Sequence, residues 1–220
     1  MRIAIHKTVA LQVFAILALG LEACTGPADP VSKLLPKSGV SSPPEWRPGD
    51  RWVYAWVSGA EKGTKTVEVT AVKEVQGVRY YVVKNAEADH YWTLDLHWAG
   101  SARDSKVQAR MVPPEPWFLW PLTVGREWTH HGVFEQLSGR RESTDVFRVV
   151  EESTVDVPAG RFRGLKVMRE SDSRDSDQYW YVPEVRSYVK WVGRRGEVQF
   201  EEDLVEYQAA PRALPKGESR

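Results

Sequence analysis

The sequence predicts an all-β domain: an antiparallel curled sheet or incomplete β-barrel of about ten strands. Three observations predict it. Apolar residues alternate with polar ones at a period of two. Trp92, Leu94, Leu96 and Trp98 alternate with Tyr91, Thr93, Asp95 and His97; Val107, Ala109 and Met111 with Lys106, Gln108 and Arg110; Val67, Val69 and Ala71 with Thr66, Glu68 and Thr70. This pattern buries one face of an antiparallel strand. Turn signals separate the runs, at Ser58-Gly59, Gln76-Gly77, Ala99-Gly100, Ser138-Gly139 and Gly193-Arg194-Arg195-Gly196. No window of useful length keeps a helical period.

Residues 1–23 read as a signal peptide. Arg2 and Lys7 precede an apolar run from Val9 to Leu21. A charged head, a short apolar run and a small residue before a break mark an export signal. The run is shorter than the roughly 20 residues a membrane-spanning helix needs. It ends on Leu21, Ala23 and Cys24, which resembles the lipobox of bacterial lipoproteins. The resemblance implies that the Cys24 sulfur receives a diacylglycerol and that cleavage frees its amino group for another acyl chain. Two or more chains anchor a protein stably, each buried CH₂ adding about 0.8 kcal/mol. Glu22 departs from the family, which prefers a small uncharged residue there. Ordinary cleavage after Gly20, with Cys24 as an idle thiol, and an uncleaved anchor are the alternatives. Thr25, rather than Asp, follows the cysteine, which by the same analogy permits passage to an outer membrane. The expected location is the bacterial cell envelope, lipid-anchored at the outer membrane and facing the periplasm.

Residues 24–45 carry Pro27, Pro30, Pro36, Pro43 and Pro44 and read as a tether without helix or ladder. A flexible chain of that length spans about 25 Å. The antiparallel β domain is expected over 46–207, long enough to bury roughly 70% of its unfolded surface. The tail, 208–220, has Pro211, Pro215 and Gly217 and reads as disordered. The chain has 30 basic and 30 acidic residues; loss of Arg2, Lys7 and Glu22 with the signal leaves a net charge of −1. That balance gives no electrostatic footprint for nucleic acid. With Cys24 the only cysteine, no disulfide is possible within the chain and the core alone must hold the fold.

A weak internal repeat divides the domain into candidate halves, 46–112 and 122–207. Gly49-Asp50-Arg51-Trp52 echoes Gly125-Arg126-Glu127-Trp128, and Tyr91-Trp92 echoes Tyr179-Trp180 at nearly equal distances from Gly77 and Gly164. The joint is Pro113-Pro114-Glu115-Pro116-Trp117. Chance reuse of Gly and Trp is the competing explanation. The second half carries Val155-Asp156-Val157-Pro158-Ala159-Gly160-Arg161-Phe162, then Tyr179-Trp180-Tyr181-Val182-Pro183, then Val189-Lys190. These stretches resemble uncharacterised β-rich domains of bacterial envelope lipoproteins, over about residues 120–207. Arg186-Ser187-Tyr188 stands where such domains usually have Gly. The resemblance implies a fold and no active site. Pro158 must end a strand or lie at an edge, and Phe162 can bury while Arg161 and Arg163 stay wet.

No constellation names a reaction. His130 and His131 are adjacent, so on a strand they face opposite sides. His90 and His97 lie an odd number apart and also diverge. The carboxylates of Glu170–Asp177 lack the glycine of a calcium loop and read as a solvated hairpin tip. There is no G-x-S-x-G. No cofactor, metal or catalytic residue is expected. The ten tryptophans weigh more. Trp52, Tyr54 and Trp56 share one strand face. A thick core explains most of the rings, and a ring-lined cavity is the functional alternative. Trp117, Phe118, Leu119 and Trp120 lie in a proline-flanked connection. They are read as an exposed contact for a ligand or partner, or as a plug closing one barrel end. The leading expectation is a non-catalytic, lipid-anchored envelope protein that presents an aromatic-rich surface or cavity to an apolar ligand or partner protein. Behind it stand a scaffold component with a filled core and an envelope-polymer hydrolase.

Overall fold

The structure, a computed structural model, describes residues 39–210. The stretch read as signal peptide and lipobox, Cys24 included, lies outside the described residues, as do the first part of the expected tether and most of the tail. Fourteen strands follow one another: β1 Gly39–Val40, β2 Arg51–Ser58, β3 Glu61–Val75, β4 Val78–Lys84, β5 Asp89–Thr93, β6 His97–Arg103, β7 Lys106–Pro116, β8 Leu122–Thr123, β9 Glu127–Gln136, β10 Gly139–Val157, β11 Gly160–Ser171, β12 Ser176–Val182, β13 Ser187–Arg195 and β14 Val198–Gln208. Twelve of them form a closed antiparallel barrel in the order β10-β11-β12-β13-β14-β2-β3-β4-β5-β6-β7-β9. Every barrel strand except β7 pairs with the next one in sequence, and β7 passes over β8 to β9. The all-β antiparallel reading holds, with closure in place of an open curl. Pairing of Ser58 with Phe200 and of Val112 with Val133 joins the two six-stranded runs on both sides, leaving no free edge.

The opening turns of the two runs are built alike. Gly49 N–H donates to Val69 O at 2.8 Å, and Val69 N–H to Asp50 O at 2.9 Å. Gly125 N–H donates to Val149 O at 2.8 Å, and Val149 N–H to Arg126 O at 2.9 Å. Both glycines have positive φ, +94° and +85°, where a side chain would be strained. Each turn then sends a tryptophan inward, Trp52 and Trp128.

Several local features depart from the alternation pattern. Leu94 and Leu96 do not continue one strand from Tyr91 to Trp98. Leu96 takes φ +61° in the turn between β5 and β6, and its side chain is buried. Ala99-Gly100 is not a turn; both residues lie inside β6, where Gly100 (φ +155°) marks a register shift. Gly39 and Val40, in the stretch read as tether, pair with Thr123 and Leu122. They precede Pro43-Pro44, so their backbone donors are free to form a ladder. In β7, Trp98 pairs with Glu115 and Gly100 with Arg110, so residues 111–114 bulge. Pro113 and Pro114 cannot donate to a ladder, which explains the bulge. Its result is that Glu115 turns into the interior.

Closure sets the size of the interior. Eight strands enclose a lumen that their own side chains fill, and added strands widen it. Twelve strands leave room for more. Large rings, an ion cluster and the inward-folded 117–126 connection occupy it. Buried indoles find backbone acceptors, as rings with a polar edge require: Trp46 Nε1 bonds Arg186 O at 2.7 Å, Trp52 Nε1 Val185 O at 2.9 Å and Trp128 Nε1 Pro116 O at 2.9 Å. At the same end, buried Asp50 accepts from Arg47 N–H and Ala210 N–H and lies 3.3 Å from the Arg186 guanidinium. It ties the entry of β2, the 183–186 turn and the exit of β14 together.

Candidate functional site

The strand order puts the 117–126 connection and the 94–96 and 183–186 turns at one barrel end. The 59–60 and 85–88 turns lie at the other. The first end is closed. Phe118 and Leu122 are buried, and Trp120 donates Nε1–H to Asp95 O at 3.1 Å. Trp117 crosses the interior. Its ring centroid lies 4.9 Å from that of Trp92 on β5, 5.0 Å from that of Tyr179 on β12 and 5.4 Å from that of Trp191 on β13. Of the two arrangements expected for Trp117–Trp120, the geometry is that of the plug. Trp117, Leu119 and Trp120 are half-buried and packed against the core. The proline-flanked position left surface contact and plug equally open; these rings pack against the core.

The plug does not fill the barrel. Beside Trp117 and Phe118 a cavity of about 270 Å³ remains, walled by Trp46, Trp52, Tyr54 and Trp92. Trp46 and Trp52 pack at 5.3 Å, and Tyr54 stacks on Tyr188 at 4.7 Å. Rings are stiff and cannot collapse into the space between them as aliphatic chains do. The polar edge of the cavity is Lys65, Asn85 and His90, from strand ends that lead to the second barrel end. Lys65 Nζ pairs with Glu202 Oε1 at 2.6 Å, and Tyr188 O–H donates to Glu202 Oε2 at 2.8 Å. Burial raises the Tyr54 and Tyr188 phenols well above the ordinary tyrosine range, so both stay protonated donors. Burial, followed by the nearby Lys65 cation, lowers His90 below the usual histidine range and keeps it neutral at pH 7.

A second polar group stands inside the barrel, built from β10, β11 and β12 of the second six-stranded run and from Glu115 on β7 of the first. Arg169 on β11 reaches Glu115 Oε1 at 3.1 Å, Asp145 Oδ1 at 2.7 Å and Asp177 Oδ2 at 2.6 Å. All four side chains are buried. Trp117 Nε1–H donates to Glu115 and Trp191 Nε1–H to Asp177, at 3.0 and 2.9 Å. Ser143 O–H donates to Asp145 Oδ2 at 2.7 Å, and Arg195 adds a second cation at Asp177, 3.0 Å away. Burial raises Glu115 above the usual carboxylate range although Arg169 pulls it down. The attraction of the three carboxylates outweighs burial for Arg169 and raises it. Asp177 corrects the expectation of a solvated 170–177 tip. The tip proper is Asp172–Asp175, and Asp177 already lies two residues inside. The only sequence signal was alternation, which puts Asp177, Tyr179 and Tyr181 on one face.

The histidines divide as adjacency requires. His130 is buried with Nε2 3.0 Å from Pro113 O, and His131 points outward to Thr144 Oγ1 at 3.2 Å. Among the described residues, the hydrogen-bonded histidine nitrogens meet Asn85, Trp98, Pro113 and Thr144, not Asp or Ser.

No family model matches the chain, and no curated protein matches it. Among solved structures, a protein from Bacteroides fragilis described as exported, with a YmcC-like fold, is 14% identical over 78% of this chain and 100% of its own, at a TM-score of 0.44. A protein from Parabacteroides distasonis described as a lipoprotein is 11% identical over 78% and 100%, at 0.45. The hypothetical lipoprotein YmcC from Escherichia coli is 9% identical over 75% and 86%, at 0.38. None of these likenesses defines a family for the chain.

Proposed function

We propose that this is a non-catalytic, lipid-anchored protein of the bacterial envelope whose barrel receives an apolar ligand. The observation that carries the reading is the cavity of about 270 Å³, walled by rings and entered past a short polar edge. A concave, mostly apolar space with a few convergent polar groups is the usual form of a small-molecule site. A scaffold would gain nothing from leaving that space empty, because unfilled volume costs stability. The anchor part of the reading is carried by Leu21, Ala23 and Cys24. Trp117 and Phe118 serve as wall of the site rather than as an outward contact, and Leu119 and Trp120 hold the closed end.

The two parts are tested separately. Radioactive palmitate labels the wild type and not Cys24→Ala; an unlabelled wild type ends the anchor claim. Purified protein extracted with organic solvent yields one stoichiometric small apolar compound by mass spectrometry. Repeated recovery of none, with no stabilisation of the protein by an apolar extract of the envelope, ends the ligand claim.

A further inference from the structure

The cavity limits the bulk of what enters it, and the cations inside the barrel limit its head group; both limits rest on the ligand-site reading above. A dry cavity of about 150 Å³ holds the six carbons of benzene. At that packing a cavity of about 270 Å³ holds about eleven carbons. One short acyl chain fits, and the two long chains of a phospholipid do not.

The cations that point into the barrel differ in one respect. Lys65 is paired with Glu202, Arg169 with three carboxylates and Arg195 with Asp177. Among the described residues no carboxylate forms an ion pair with Arg141, whose guanidinium carbon lies 5.3 Å from the centroid of the Phe134 ring.

Register places Arg141 on the inner face of β10. It lies opposite Phe134, and Phe134 lies opposite Met111, which is buried. Residues directly opposite in an antiparallel pair share a face. Farther along β10, Ser143, Asp145 and Phe147 follow at alternate positions, and all three are buried. Arg141 itself is exposed, so this inner face meets solvent there.

A line of contacts joins Arg141 to the cavity. Phe134 stacks on Trp98 with centroids 6.2 Å apart. Trp98 is part of the cavity wall, and its Nε1–H donates to Nδ1 of His90 at the polar edge, 3.4 Å away. The polar edge therefore borders a run of rings that ends on a guanidinium without a counter-charge. A guanidinium binds a carboxylate through two parallel N–H···O bonds.

We infer that the cavity takes a single-chain carboxylic acid of about ten to twelve carbons, with its chain among Trp52, Trp92 and Trp117 and its carboxylate on Arg141.

Titration calorimetry of the purified full chain at pH 8, with each probe below its micellar concentration, tests this. The probes are dodecanoate, 1-dodecanol, dodecyltrimethylammonium and hexadecanoate. Dodecanoate binds about fivefold tighter than dodecanol, the worth of one partly screened ion pair, and the cationic probe binds most weakly. Hexadecanoate gains nothing over dodecanoate, because its further carbons stay outside the cavity. Arg141→Gln, a change at an exposed position, brings dodecanoate down to the affinity of dodecanol. Arg140→Gln, on the outer face beside Glu135, keeps the preference. Added salt narrows the preference in the wild type. Equal binding of dodecanoate and dodecanol by the wild type, or a preference that survives both Arg141→Gln and added salt, overturns the inference while sparing the ligand reading. So does an equal loss in Arg140→Gln and Arg141→Gln, the mark of general surface charge. Tightest binding by dodecyltrimethylammonium overturns the acid class, and tightest binding by hexadecanoate overturns the size class. Binding of none of the four overturns both the inference and the ligand reading beneath it.

Discussion

Two regions of one barrel solve the same problem in opposite ways. Twelve strands enclose more space than their side chains fill. Around Arg169 the space is occupied by charge: three carboxylates lie within ion-pair distance of one guanidinium, and two indole N–H groups and a serine hydroxyl bond those carboxylates. Around Trp52 and Trp92 the space is bounded by rings and left open. Trp117 belongs to both: its Nε1 bonds Glu115, and its ring walls the cavity. The difference teaches that paired charge fills one part of the lumen and gives Trp117 a fixed partner, while rings, Trp117 among them, bound the other part and leave room between them.

The comparison breaks most visibly at Arg169. Arg169→Met leaves Glu115, Asp145 and Asp177 buried without their shared cation, a loss of about 3–5 kcal/mol. Urea unfolding at pH 7 measures it; a loss below about 1 kcal/mol would mean the carboxylates are satisfied without Arg169. Trp117→Ala comes next. It removes the ring that spans from Trp92 to Tyr179 and Trp191, at a cost of about 3 kcal/mol. The same change joins new volume to the cavity, so the variant accepts larger apolar probes than the wild type does. A variant that loses stability and gains no probe capacity would show the plug collapsing inward.

The smallest effect is the pH response, and the two regions respond with opposite signs. His90 has a lowered value in the folded state. Its contribution to stability is complete above the ordinary histidine range and is lost as pH falls through that range. Glu115 has a raised value. Its contribution is complete below the ordinary carboxylate range and is lost as pH rises through the folded value. Melting temperature between pH 7 and 5 therefore falls less in His90→Phe than in the wild type. Between pH 4 and 7, Glu115→Gln removes the decline that Glu115 causes. A wild-type slope unchanged in His90→Phe would show that His90 charges freely in the folded chain.

Much of the wall was legible in the residues and little of the interior arrangement was. Alternation put Trp52, Tyr54 and Trp56 on one face without saying which way it looks; the structure buries Trp52 and Tyr54 and leaves Trp56 half-buried. Val155–Phe162 turns at Pro158-Ala159 with Phe162 inside and Arg161 and Arg163 exposed, as proline and glycine chemistry dictates. Barrel closure depends on pairings between residues far apart, Ser58 with Phe200 for one, and no local pattern carries it. The likeness of Tyr91-Trp92 to Tyr179-Trp180 hides a slip of one residue: Trp92 faces the cavity, whereas Trp180 lies outside under Lys166. A shift of one position exchanges the two faces of a strand. Asp177, Asp145 and Glu115 looked like ordinary surface carboxylates because their common partner, Arg169, is distant in sequence from all but one of them.

The central claim is that the ring-walled space is real, dry and open to small molecules. A crystal structure of the protein pressurised with xenon tests it most directly, since dry apolar cavities take up xenon. Xenon density among Trp52, Trp92 and Trp117, with the rings unmoved, is the predicted result. Side chains closed over that space, or a chain of ordered waters running through it, would contradict the account.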